Sequence, residues 1–295
     1  VPVKLVWTRE DDMRAGHYRP ANLHTMRAGL DAGGAIVGWQ HRIVGQSIAD
    51  GTAFEKVLVK NGVDATSVEG ASTLPYAIPA VTVDLHSPYG AVPVQWWRSV
   101  GSTHTAFSTE TFLDELAAAA GQDPLAMRRA LLAKHPRHLA ALELAAREAG
   151  WGTPLAPGKA GTKRARGLAV HESFGTVVAE IVEVTVKPDR SFSVDRVVCA
   201  VECGVAVNPD VVRAQMEGGI GFGLSAALYS AITVKDGVVE QTNFNDYPML
   251  RIDEMPAVDV HIVRSQGKPS GVGEPATPVI APALANALYA ATGQR

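Results

Sequence analysis

The hydrophobic period of this chain changes partway along it, and that change limits what the chain can fold into. From Val1 to about Val94 the apolar residues form short alternating or continuous runs, Val1 to Trp7, Ala35 to Trp39 and Ala80 to Leu85. The turn signals Asp31-Ala32-Gly33-Gly34, Asp50-Gly51 and Asn61-Gly62 separate strands in this stretch. Beyond it, Phe112, Leu113, Leu116, Ala117 and Ala120 share one helical face, with Gly121 as its stop. Asp123-Pro124 supplies the N-cap and first turn of a second helix, which carries Leu125, Leu131 and Leu132. Leu139, Leu142 and Ala146 mark a third that ends at Gly150. Strands followed by three consecutive helices predict an α+β fold.

The run from Gly152 to Arg166 has no period and is rich in Gly, Pro and positive charge. It is expected to be a linker, so the chain divides into a first lobe at 1–151, a linker at 152–166 and a second lobe at 167–295. That division agrees with 295 residues at about 150 residues per domain. In the second lobe, Gly167 to Val186 and Ser191 to Val207 read as two strands joined at Lys187-Pro-Asp-Arg190. Asn208-Pro209-Asp210 starts a long apolar helix reaching about Ser230, a hairpin turns at Lys235-Asp236-Gly237, and a strand spans Ala257 to Arg264. A last helix begins near Thr277 or Ala281 and runs to Thr292.

Composition closes several classes. A chain that is 46% hydrophobic is not disordered, and two cysteines cannot staple it. A net charge of −3 lacks the basic footprint of a nucleic-acid binder, and the basic residues of the linker have no aromatic residues between them. No run reaches the roughly 18 to 20 apolar residues of a membrane span. Val1 to Trp7 reads as the middle of a core strand, so the chain is expected to be part of a longer protein whose export signal, if it has one, lies upstream; the compartment, cytoplasmic or periplasmic, is left open.

Several motifs have plainer readings than catalysis. Ser225 in Gly223-Leu-Ser-Ala-Ala227 sits in a helical run without the strand and sharp turn of a nucleophile elbow, and reads as a helix serine. His135-Pro-Arg-His138 lacks zinc-site spacing, and Cys199 and Cys203 suit buried apolar positions. Gly218, Gly219, Gly221 and Gly223 follow helical rather than strand sequence, against the dinucleotide fingerprint, and permit close helix packing. Two segments carry more chemistry. Gln95 to His104 gathers a cation, hydroxyls and a glycine before a helix whose first amides could receive an anion, although this segment alone favours an ordinary helix start. Gly271-Val-Gly-Glu274-Pro275 sets one carboxylate between glycines and a proline, where it can stand at a pocket wall or in a surface turn.

Taken in order, Val3 to Met13, Trp96 to His104, His171-Glu-Ser-Phe-Gly175, Gln215-Met-Glu-Gly-Gly219 and Gly271 to Pro275 resemble the molybdopterin-binding large subunit of the xanthine dehydrogenase and aldehyde oxidase family, in particular its bacterial isoquinoline 1-oxidoreductase β branch. The resemblance covers nearly the whole chain. It implies two mixed sheet and helix lobes, and a molybdenum hydroxylase that oxidises an N-heteroaromatic compound or an aldehyde with water-derived oxygen. By that likeness Glu274 is the catalytic base, taking the proton from the attacking oxygen. Arg98, Gly101, Ser102, Thr103, Gln215, Gly218, Gly219 and Gly273 contact a molybdenum–molybdopterin cofactor in its cytosine dinucleotide form. Trp96 and Trp97 border the pocket for a small-molecule substrate, and no metal is ligated by the chain itself. Electrons leave through iron–sulfur clusters in a small partner subunit, then to a cytochrome c or another acceptor. Family members carry a Gly-Gly-Gly-Phe-Gly loop ahead of the segment matching Val1, so this chain alone is expected to be inactive. The competing expectation is a non-catalytic relative that keeps the fold as a subunit-interaction module.

Overall fold

The computed structural model describes residues 1–90 and 92–295. The first elements are α1 (Arg9–Ala15), β1 (Asn22–Leu30), β2 (Ile36–Gly45), α2 (Glu55–Leu58), β3 (Val59–Lys60), β4 (Val63–Asp64), α3 (Ala65–Val68) and β5 (Val81–His86). Three helices follow, α4 (Ser102–Ala119), α5 (Pro124–Leu131) and α6 (Pro136–Glu148). The remainder is β6 (Lys163–Ser173), β7 (Thr176–Val186), β8 (Phe192–Glu202), α7 (Pro209–Leu228), β9 (Val234–Lys235), β10 (Val238–Val239), β11 (Ala257–Ile262) and α8 (Thr277–Thr292). The α+β class expected from the period change is the class observed.

Two sheets organise the molecule. One has the order β1-β2-β5, the other β11-β8-β7-β6. The β1–β2 hairpin turns where Asp31 Oδ1 accepts from the amides of Gly33 and Ala35, as the turn signal predicts. The four-stranded sheet is covered on both faces. Leu142 and Ala145 of α6, with Leu113 of α4, pack on Leu168, Ile181 and Val198. On the other face Met216, Ile220 and Leu224 of α7 and Ile280 and Ala283 of α8 pack on Val178, Val182 and Val201. Helix α8 crosses β6 in backbone contact at Gly167, where a Cβ would lie 2.0 Å from the Ala287 nitrogen.

Three local expectations change. Val1 to Trp7 forms no strand and is exposed, Leu5 at 79% and Val6 at 71%. Pro2 offers no amide to a ladder, and the chain instead enters α1 through a capping box between Thr8 and Asp11. Gly167 to Val186 is two strands, because Phe174 (φ 51°) and Gly175 (φ 74°) make a tight two-residue turn between β6 and β7. Burial of β7 on both faces removes the alternation that would have marked the break. Lys163 to Arg166 belong to β6, paired with Glu183 to Val186, so the coil is confined to 152–162.

One hydrophobic cluster joins α4, α5 and α6 to β6, β7 and β8 across that coil. Limited proteolysis is therefore expected to cut first within 152–162 while the two pieces elute together on gel filtration. First cleavage within Asn208 to Ser230, or separation of the pieces, would contradict this.

Candidate active site

The loop 97–101, helix α7 and the segment before α8 meet at one junction. Arg98 Nε donates to the Gly273 carbonyl at 2.8 Å, and its Nη2 reaches the same carbonyl and Gln215 Oε1, the latter at 3.3 Å. Glu274 is held from the other side of the loop. The Ser99 amide donates to Glu274 Oε2 at 2.6 Å, and Ser99 Oγ to the Glu274 carbonyl at 2.6 Å. Residues 117 to 175 positions apart thus converge, as their shared likeness to cofactor contacts leads one to expect.

Helix α7 presents the next layer by its period. Asn208 caps it, accepting from the amides of Asp210 and Val211, and Gln215, Gly218, Gly219 and Phe222 then follow at helical spacing. Phe222 lies beneath the loop, 5.6 Å from the Arg98 guanidinium carbon and 4.8 Å from the Trp97 ring. Arg19 stacks on Trp97 at 4.3 Å. Trp96 packs edge-on against Phe54, and both tryptophans border a small recess with Gln95 and Thr103. The two α7 glycines differ in use. A Cβ on Gly219 would sit 2.9 Å from Ala276 Cβ, so this glycine brings α7 against the start of α8, whereas a Cβ on Gly218 would meet no atom within 4 Å.

The junction offers hydrogen-bonding groups that are not used within the chain. Arg98 fixes the Gln215 carboxamide by its oxygen, which turns the NH₂ outward as a donor. Among the described residues neither that nitrogen nor Glu274 Oε1 has a hydrogen-bond partner. Among the described residues, a Cβ on Gly273 would meet only Gln215 Oε1, at 3.9 Å, and one on Gly218 would meet nothing within 4 Å. No group of three or more His, Cys, Asp or Glu among the described residues is placed to hold a metal ion.

At the start of α4 the structure differs from the anion site considered above. The amides of Gly101 and Ser102 already donate to Glu69 Oε1, at 2.6 and 3.1 Å. Burial raises the Glu69 carboxyl above the usual range despite these bonds, and Asp64 and Glu274 push the same way. Ser102 and Thr103 are buried, and Thr103 Oγ1 donates to the Val100 carbonyl. Ser99 lies within the Gln95 to His104 motif, though no role of its own was expected of it. Sequence reasoning missed Glu69, Phe222 and Arg19, and of these Phe222 alone had a signal, its seven-residue spacing from Gln215.

Behind this loop three histidines form a chain. His104 Nδ1 lies 3.1 Å from His24 Nε2, and His24 Nδ1 lies 2.7 Å from His41 Nε2. Burial pushes His24 and His41 down to about 4 and His104 to about 3. The unfolded chain takes up protons near pH 6.5 that the folded rings refuse, so their contribution is whole above that pH and is lost as pH falls towards about 4. For the fully buried His41 the slope is up to about 1.4 kcal/mol per pH unit. Denaturant titrations between pH 7 and 4 should show this decline, shallower in His41→Gln; equal slopes would contradict it.

Comparisons with known proteins give the family and the fold. Two family models described as molybdopterin cofactor-binding domain match residues 103–256 and 1–132. The chain belongs to the molybdopterin cofactor-binding domain family. It is 33% identical over 294 residues to the isoquinoline 1-oxidoreductase subunit beta of Brevundimonas diminuta, covering 99% of this chain and 37% of that protein. A membrane-bound aldehyde dehydrogenase of Gluconacetobacter polyoxogenes, named for pyrroloquinoline quinone, is 30% identical over 325 residues, covering 100% of this chain and 41% of that one. The chain thus spans well under half of these relatives. Quinoline 2-oxidoreductase of Pseudomonas putida 86 has the same fold, with a TM-score of 0.78 at 13% identity, over 98% of this chain and 61% of that one.

Proposed function

We propose that this chain forms part of the catalytic subunit of a molybdenum hydroxylase that oxidises an N-heteroaromatic compound or an aldehyde with oxygen derived from water. The observation that carries this reading is the convergence of Arg98, Gln215, Gly273 and Glu274 at one junction. Relatives named for isoquinoline and aldehyde oxidation support the substrate class.

In this reading the outward NH₂ of Gln215 and the space at Gly218 and Gly273 hold the molybdopterin cofactor, in its cytosine dinucleotide form. When bound, the cofactor supplies the two-electron oxidation. Arg98 orients Gln215, while Gly219 fixes α7 against α8, and Gly101, Ser102 and Thr103 shape the loop from the start of α4. Glu274, tied at one carboxylate oxygen by Ser99, keeps the other free to take a proton from the attacking oxygen. Trp96 and Trp97 border the approach of the substrate. Electrons pass to iron–sulfur clusters of a small partner subunit, and from there to a cytochrome c or another acceptor.

The second reading is a subunit-interaction module without catalysis, in which the Glu69 contacts to Gly101 and Ser102 serve the fold alone. Metal and nucleotide analysis of the full-length subunit purified with its partner separates the two. The hydroxylase reading expects molybdenum and, on acid hydrolysis, a cytosine nucleotide. A folded, partner-bound subunit without molybdenum supports the module instead.

A further inference from the structure

We propose that Glu69 is the positioning residue of the catalytic loop, clamping its C-terminal end so that Arg98 and Ser99 meet Gln215, Gly273 and Glu274. The inference rests on the reading of Glu274 as the base, and it concerns a residue outside the reacting atoms.

The loop needs such a clamp because of its backbone. Ser99 (φ 72°) and Val100 (φ 48°) occupy the left-handed region in succession, and a β-branched residue is a rare occupant of it. A segment of this kind keeps its shape only where its surroundings over-determine it. On one side Glu274 holds Ser99 by two hydrogen bonds. On the other the Glu69 carboxylate accepts from Gly101 and Ser102, at the positive end of an 18-residue helix, and the Glu69 carbonyl accepts from Thr105 Oγ1 at 2.7 Å.

Glu69 is itself anchored. Buried Asp64 accepts from the Thr66 amide at 2.8 Å, Thr66 Oγ1 at 2.7 Å and Ser47 Oγ at 2.6 Å, which fixes the short turn leading to Glu69. The loop rests directly on that turn, for a Cβ at Gly101 would stand 1.8 Å from the Thr66 carbonyl oxygen. Glu69 therefore links a rigid floor to the one loop that touches both Gln215 and Glu274.

The test compares Glu69→Ala and Glu69→Gln in the full-length subunit with its partner. With Ala, kcat is expected to fall about 10- to 100-fold, as for a displaced reacting group, with KM and molybdenum content at wild-type values. Hydrogen exchange of residues 98–102 should quicken about tenfold or more as the amides lose their acceptor. Gln keeps a carbonyl acceptor and is expected to restore both readouts. Should Glu69→Ala fail to fold, Glu69→Asp, which shortens the reach, carries the same comparison. Wild-type kcat and exchange in the Ala or Asp variant, or a Gln variant no better than Ala, would overturn the proposal. Glu274→Gln in the same preparation keeps the two readings apart: normal turnover there removes the base, while the exchange of 98–102 still decides the clamp.

Discussion

Replacing Glu274 with Gln in the full-length enzyme is expected to lower turnover by about 10² to 10⁴, the range that a general base contributes. Gln keeps the size of the side chain and can still accept from the Ser99 amide, so the loop should stay in place. What disappears is the basic oxygen. A carboxylate in this position must be ionised to receive the proton and must release it afterwards, and a carboxamide can do neither. The loss should appear in kcat with molybdenum content unchanged, since Glu274 supports the proposed reaction through proton transfer and Gln215 and Arg98 keep their own contacts. Near-normal turnover at full metal occupancy would return Glu274 to the plain role of a loop tie.

The second large effect is on stability. Arg128 is fully buried and pairs with Glu110 at 2.9 Å and Asp114 at 2.7 Å. Glu110 is nearly as buried, and besides Arg128 its carboxylate accepts from Tyr76 OH at 2.5 Å and from the Val170 amide at 3.0 Å, an open amide of the edge strand β6. Its carbonyl accepts from Asn286 of α8. One carboxylate therefore ties α4 and α5 to the sheet. Arg128→Met is expected to cost about 3 to 5 kcal/mol, because it strands two carboxylates whose burial the guanidinium offsets. Chemical denaturation of the wild type and the variant measures it; a loss under about 1 kcal/mol would mean that water or local rearrangement solvates Glu110.

How much of this was legible in the sequence depended on where each signal resides. Helices α4 to α6 carried both an apolar face and their stops, and Asp123 caps α5 as its side chain predicts. The face of α7 was legible for the same reason. The β6–β7 turn was not, because Phe174 takes a positive φ where Gly, Asn or Asp would be the usual mark. Val1 to Trp7 misled because its alternation is real but no neighbouring strand receives it. Within the site, Arg98, Gln215 and Glu274 were found through a family likeness of short motifs, and their convergence is visible only in the fold. Glu69 left no mark at all: its partners lie 32 and 33 positions away and are backbone amides, which have no side-chain signature.

In the proposed enzyme the molybdenum cofactor lies beside Gln215, Gly273 and Glu274. Diffraction from crystals of the full-length subunit with its partner, measured above and below the molybdenum absorption edge, locates the metal. One anomalous peak per subunit is expected there, next to the Gln215 NH₂ and the free Glu274 oxygen. A peak on another face of the molecule, or catalytically active crystals with no molybdenum peak, would contradict it.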